Sequence, residues 1–408
     1  RLDVREAETA FVLDGAAYGI LEGMTVRARP GARHVIDLRR THDVRILNCD
    51  ISGWGCVGEP DFLGKRRGKL TDGKMYGWFD YIDYNGAINI GRGSANTVVE
   101  RCWIHDSAAR SNGWRYSHPS GPQAVIADHA GPGTVIRYND FVGSDLHRWN
   151  DAVEGPGNFE PDGGLNRDAD VYGNFMIFCN DDNIELDGGQ QNVRCFRNRF
   201  EGAHCGVSVQ GCMAGPSYVF DNAVTGMEDE FALGGSPFKT CETSPFGNLA
   251  VTAIFDNEAW LPYRTGWSDD PNTRFTIRDN RFHDAFATCV AQPIRPVPYT
   301  LDRSRIDGVR VTGGAATPAS VTVTATVGGS GYAQPFAVAV NADFPWLKVT
   351  PAKGVLKSGE KTVFTVSFDT AAMKGRRIWR GAFLVRTADG FSRAVTVYGE
   401  TDYEQPFT

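Results

Sequence analysis

The 408-residue chain has no run of 18 apolar residues, and so offers no membrane-spanning helix. It has no Cys-x-x-Cys pair and no His-rich metal spacing. Its nine cysteines are an odd number, so at least one thiol stays unpaired, and free thiols or one or two disulfides are both open. There is no excess of positive charge: the formal net charge is −7, which argues against nucleic acid as a partner. No secretory signal opens the chain. It begins in mid-pattern at "RLDVREAETAFVLDG", as a processed export protein would, and the expectation is a secreted, periplasmic or cell-surface protein.

What is present is glycine, 47 of them, with Asn and Asp gathered at turn-like positions and 41% apolar residues to bury. That mix favours many short strands. An internal repeat organises them. "TVIRYNDF", "DVYGNFM", "VRCFRNRF", "SYVFDNAV", "TAIFDNEA" and "FTIRDNRF" align on Asn139, Asn174, Asn198, Asn222, Asn257 and Asn280, at gaps of 35, 24, 24, 35 and 23. Three residues before each Asn stands Ile136, Val171, Cys195, Val219, Ile254 or Ile277; two after it stands Phe141, Met176, Phe200, Val224, Ala259 or Phe282. A return near 24 residues with a recurrent turn residue predicts a parallel β-helix, its Asn taking left-handed geometry at the bend and like residues stacking about 4.8 Å apart. The L-x-x-L-x-L frame of leucine-rich repeats is absent. The two longer gaps predict excursions at 155–167 and 234–247, and a larger one runs from Trp54 to about Asp83. Cys49 and Cys102 take the place of the ladder Asn in the earlier coils, where the thiols would stack or pair. After about residue 310 the period vanishes. "ASVTVTATVG", "KTVFTVSFD" and "GAFLVRTADGFSRAVTVYGE" alternate as in a small antiparallel, immunoglobulin-like sandwich. The predicted chain is therefore all-β, a right-handed parallel β-helix over 1–310 followed by an accessory β-sandwich over 311–408, with Trp346 in the sandwich core.

A second strand follows in each coil: "GAINIGRG", "QAVIADHA", "NDAVEGPG", "DDNIELDGG" and "HCGVSVQG". With the aliphatics inward, period-two alternation turns one column outward as Asn89, Ile126, Glu154, Glu185 and Ser208, and the next as Gly91, Asp128, Pro156, Asp187 and Gln210. At the strand entrance Asp151 lies over Asp182. Carboxylates stacked one rung apart repel and favour protonating a neighbour, which a fold does not assemble for stability alone. Glu185, Asp187, Glu154 and Asp128 are the candidate catalytic groups. Asp151, Asp182, His147, Arg148, Trp149, His129, Gln210 and Trp114 are candidates for holding substrate, with Tyr116, Trp260 and Trp267 as further aromatic platforms. One carboxylic acid and one carboxylate beside a groove along stacked strands suit glycosidic cleavage of an extended sugar polymer. Spacing of about 5 Å implies retention and about 6.5–9.5 Å inversion, and the pattern leaves both open.

The coils "NDAVEGPGN", "RDADVYGNF" and "NDDNIELDGGQQNVRCFRNRF" resemble the pectate-lyase-like, right-handed parallel β-helix superfamily, over about residues 15–300. Asp181–Asp182 and Glu185-x-Asp187 are similar to the acid patterns of its glycoside hydrolases. No Gly-His-Gly and no Arg-Ile-Lys follows, which sets the chain apart from polygalacturonases. The resemblance implies a secreted glycosidase that requires no cofactor. It also admits a uronate lyase or epimerase, with Ca²⁺ on the acid cluster and Arg92, Arg115, His118, His147 or Arg148 as neutraliser or base, and a non-catalytic glycan-binding solenoid.

Overall fold

The recurrent asparagines mark successive coils of a parallel β-helix. The structure, a computed structural model, describes residues 2–4, 9–55, 58–60, 66–68, 85–115, 118–209, 211–229, 235–239, 252–260, 275–284, 290–373 and 376–402. It forms two compact units, residues 1–286 and 287–408. In the first, three parallel sheets of eight, ten and nine strands run the length of the solenoid. Each coil gives the third sheet one strand, turns at the Asn, gives the second sheet a strand and then the first. One coil thus reads Asp170–Tyr172, Phe175–Ile177, Asp182–Glu185. The aliphatic residue before the bend is in register from coil to coil, Ile46 on Val99, Ile136, Val171, Cys195, Val219, Ile254 and Ile277. Ile46 to Ile254 are fully buried.

The bend differs from the expectation. The left-handed residue is the one before each ladder Asn: Tyr138 (φ 61°), Gly173 (66°), Arg197 (55°), Asp221 (56°), Asp256 (54°) and Asp279 (58°). The Asn serves instead as a hydrogen-bond relay. Asn174 Oδ1 accepts the backbone N–H and the side-chain amide of Asn139, both at 3.0 Å, and Asn174 Nδ2 donates to the Ile136 carbonyl at 2.9 Å. The same pattern links Asn198 to Asn174, Asn222 to Asn198 and Asn257 to Asn222. The relay satisfies polar groups that the turn would otherwise bury unpaired. Cys102 continues it with a weaker donor: its N–H reaches Asn139 Oδ1 at 2.9 Å, and its thiol donates to the Ile46 carbonyl at 3.6 Å. None of the six described cysteines is in a disulfide, and the Cys49 and Cys102 thiols stack as a hydrogen-bonded pair. On the outer face of the third sheet, Tyr172, Phe196, Phe220 and Phe255 stack at 4.7–5.0 Å with nearly parallel planes.

The second unit is a sandwich of a four-stranded and a six-stranded sheet, antiparallel except where Arg305–Thr312 runs parallel to Ser392–Thr401. Trp346 is buried in its core among Phe344, Phe368 and Trp379. The sequence put the boundary at residue 310; strands Tyr299–Leu301 and Arg305–Thr312 pair within the sandwich sheets, so this unit begins earlier. No helix among the described residues is long and apolar enough to cross a membrane.

Candidate active site

The first sheet carries the acids. Val125, Val153 and Ile184 are in register and fully buried. Alternation then stacks Ile126, Glu154 and Glu185 on the opposite face, and the column continues through Ser208 to Lys239. Asp151, Glu154 and Glu185 each bring one carboxylate oxygen within 4.8 Å of the other two. That spacing would suit a cation of the size of Ca²⁺ as well as a catalytic pair. Asp151, Asp181 and Asp182 form a floor with no solvent exposure, and Asp187 is nearly as deep. Glu154 and Glu185 keep some exposure, and are the cluster members a substrate can meet.

The floor is cross-linked. Asp151 Oδ1 accepts the Asp182 N–H at 2.7 Å, while Asp151 Oδ2 and Asp182 Oδ1 are buried with no hydrogen-bond partner among the described residues. Lys239 Nζ lies 3.1 Å from Asp182 and 3.4 Å from Asp181, beneath the ring of Trp114 at 5.7 Å. Trp114 Nε1 donates to Asp181 at 3.2 Å, and His118 Nε2 stands 3.5 Å from the other Asp181 oxygen. Trp114 also lies 5.4 Å from the His204 ring. Two amides, Gln123 at 2.5 Å and Asn150 at 3.0 Å, converge on Glu154 Oε2. Asn158 donates to Glu185 Oε1, and Ser208 Oγ to Asp187 at 3.2 Å.

One ammonium cannot neutralise so many carboxylates. Burial, with the neighbouring charges of Glu154, Asp181 and Asp182, holds Asp151 well above the usual carboxylate range. Burial, with Asp187 and Glu154, raises Glu185 likewise against the pull of Lys239. Burial, opposed by Lys239 and reinforced by Asp181, pushes Asp182 up to about 8. Burial alone would discharge Lys239, but Asp182, Asp181 and Glu185 outweigh it and keep it charged. Protons therefore remain in the cluster at neutral pH, as a general acid requires.

Of the residues singled out in the sequence, Glu154, Glu185, Asp187, Asp151, Asp182 and Trp114 come together. Others do not. Trp149 is a core residue, fully buried 5.7 Å from Trp54 with Nε1 on Ser107 at 3.0 Å. Arg148 is buried, bonding Asp145 at 2.8 Å and the carbonyls of Cys179, Gly202 and Glu228, so it holds the turn rather than a ligand. His147 lies in that turn, its N–H on Ser144 Oγ at 3.0 Å. Asp128 and His129 form a separate group with Glu160, His129 bridging the two carboxylates at 2.7 and 2.9 Å. Trp260 is on the second sheet, stacked 5.3 Å from His283. Gln210, Tyr116 and Trp267 lie outside the described residues. Lys239, Gln123, Asn150 and Asn158 were not anticipated. Strand Phe238–Lys239 has two residues, too few for alternation to register, and it falls inside the stretch 234–247 that the spacing assigned to an excursion.

No family model and no curated protein matches the sequence. Among solved structures the chain is similar to the Dettilon tailspike protein (gp208), with 12% identity over 88% of this chain and 87% of that one and a TM-score of 0.29. It is similar to the tailspike protein gp49 from Pseudomonas phage LKA1, with 8% identity over 90% and 66% and a TM-score of 0.25. It is also similar to the periplasmic chaperone SfaE, with 13% identity over 26% of this chain and a TM-score of 0.21; there it spans 57% of that chain's length. At these levels the function rests on the site itself.

Proposed function

We propose that the chain is a glycoside hydrolase acting on an uncharged polysaccharide or oligosaccharide, with Glu185 as general acid and Glu154 as its partner carboxylate. The observation that carries this is the approach of Glu154 and Glu185 oxygens to within 4.8 Å, with two amide donors on one Glu154 oxygen and buried acids around Glu185. Such a spacing lies near the roughly 5 Å of retaining enzymes. Glu185 gives its proton to the glycosidic oxygen as the bond to the anomeric carbon breaks. Glu154 attacks that carbon to form a glycosyl ester. Glu185, now ionised, takes a proton from water, whose oxygen displaces Glu154 and releases the sugar with its original configuration. Asp187 and Glu154 keep the proton on Glu185 by their charge, and Trp114 offers an apolar face for a sugar ring.

A uronate substrate is less favoured, because its carboxylates would meet a wall of carboxyl groups. Of the cations that a lyase could enlist, Lys239 is engaged by Asp181 and Asp182, Arg92 by Asp162 at 3.0 Å, and Arg148 by Asp145. A screen across neutral polysaccharides and polyuronates separates the two chemistries. The expected result is new reducing ends from a neutral glycan with no rise near 235 nm. Absorbance appearing at 235 nm on a polyuronate overturns the assignment.

A further inference from the structure

We infer that Asn158 is a positioning residue for Glu185, and that His129, gripping Glu160, anchors the 155–164 excursion that carries Asn158. The inference rests on the glycosidase reading of the same site. The excursion leaves the first sheet directly after Glu154 and crosses the adjoining strands before returning. Its own turns are closed by Glu160 N–H on the Gly157 carbonyl at 2.9 Å and Gly163 N–H on Glu160 at 3.0 Å. Three docking points lie away from Glu185. His129 Nε2 meets Glu160 at 2.9 Å, Arg92 meets Asp162 at 3.0 Å, and Ala130 N–H reaches the Gly164 carbonyl at 3.0 Å. The chain passes so close over the imidazole that a Cβ on Gly157 (φ 91°) would stand 2.8 Å from His129 Nε2. Gly163 packs backbone to backbone on Gly188, where a Cβ on Gly188 would stand 2.7 Å from the Gly163 carbonyl carbon. Pinned on both sides, the excursion presents Asn158 to Glu185 Oε1.

The consequence is chemical. An amide N–H binds a carbonyl oxygen more strongly than a hydroxyl oxygen, so it favours the proton of a neutral Glu185 on Oε2. A general acid whose proton sits on a fixed oxygen is already oriented toward its acceptor; one free to rotate is not. His129 faces Asp128 and Glu160 from opposite sides, with Arg92 and Asp162 beyond. It touches none of the reacting carboxylates, so its effect travels through the excursion.

Three variants decide the matter: Asn158→Ala, Glu160→Gln and His129→Gln. Hydrogen exchange is read over residues 156–164 without substrate, and kcat and KM are read on whichever glycan the wild type cleaves. Glu160→Gln and His129→Gln are expected to speed exchange in 156–164 and to lower kcat on the order of tenfold with KM within about twofold. Asn158→Ala is expected to lower kcat equally while leaving exchange slow. In NMR spectra of the free protein, the Asn158 side-chain amide should move on Glu185→Gln substitution. An Asn158 resonance indifferent to Glu185→Gln, or a loosened excursion with kcat unchanged, overturns the inference. If the wild type cleaves no glycan, the glycosidase reading falls by itself, while exchange and the Asn158 resonance still decide the anchoring.

Discussion

Glu185 and Glu154 differ in what surrounds them. Two amides grip one oxygen of Glu154, while Glu185 sits among buried acids that raise its proton affinity. Glu185→Gln is expected to lower kcat/KM by about 10²–10⁴-fold, measured by reducing-end release. The same acids oppose stability. A carboxyl whose folded pKa is raised binds its proton more tightly than in the unfolded chain, so its folded-state advantage is complete below the unfolded value near 4 and shrinks as pH rises toward the folded value. For Asp182 that window runs from about 4 to about 8, and Asp151 and Glu185 act in the same direction. The melting temperature should therefore fall from pH 5 to pH 8 in calorimetry, and fall less in Asp151→Asn, whose amide oxygen still accepts the Asp182 N–H. Lys239→Met leaves Asp181 and Asp182 without their cation and is expected to cost about 3–5 kcal/mol in denaturant unfolding at pH 7. The outward placement of Glu154 and Glu185 was legible in the sequence because strand alternation fixes a face, and Asp182 because it stands over Asp151 at the strand entrance. Trp149 and Arg148 were misread because His147-Arg148-Trp149 looks like a sugar-binding run, whereas the chain turns there and buries both side chains.

At the scale of the element, the asparagine relay explains why the repeat tolerates few alternatives. Asn198 takes two hydrogen bonds from Asn174 and gives one to the Val171 carbonyl, all in a buried setting. Asn198→Ala orphans the Asn174 N–H and the Val171 carbonyl, a loss on the order of 3 kcal/mol measurable as a lowered denaturation midpoint. The column itself was plain in the sequence, since identical spacing forces identical placement. The role was not: a turn-associated Asn suggests left-handed backbone, yet Arg197 and Asp221 take that conformation and leave the Asn free to bridge coils. Cys102 shows the limit of substitution, keeping the bond from its own N–H but offering only a weak thiol donor.

At the scale of the whole solenoid, stacking converts a local sequence pattern into a surface of one character. One coil supplies Asp151 and Glu154 and the next Asp181, Asp182, Glu185 and Asp187, and only the parallel register makes them a cluster. What the repeat could not convey is depth. The sequence reads as a flat acidic wall, whereas Trp114 and His118 come over Asp181 and close a floor beneath Glu154 and Glu185. Those residues belong to a stretch without period, so alternation gives them no address. With both cleavage roles filled by side chains, a chelator such as EDTA is expected to leave the wild-type rate within about twofold. The most direct measurement compares reducing-end release by the wild type, Glu154→Gln and Glu185→Gln on one neutral glycan, with folding checked by melting temperature. The expected result is release by the wild type and near-complete loss in each folded variant; full activity in either would contradict the paired-carboxylate site.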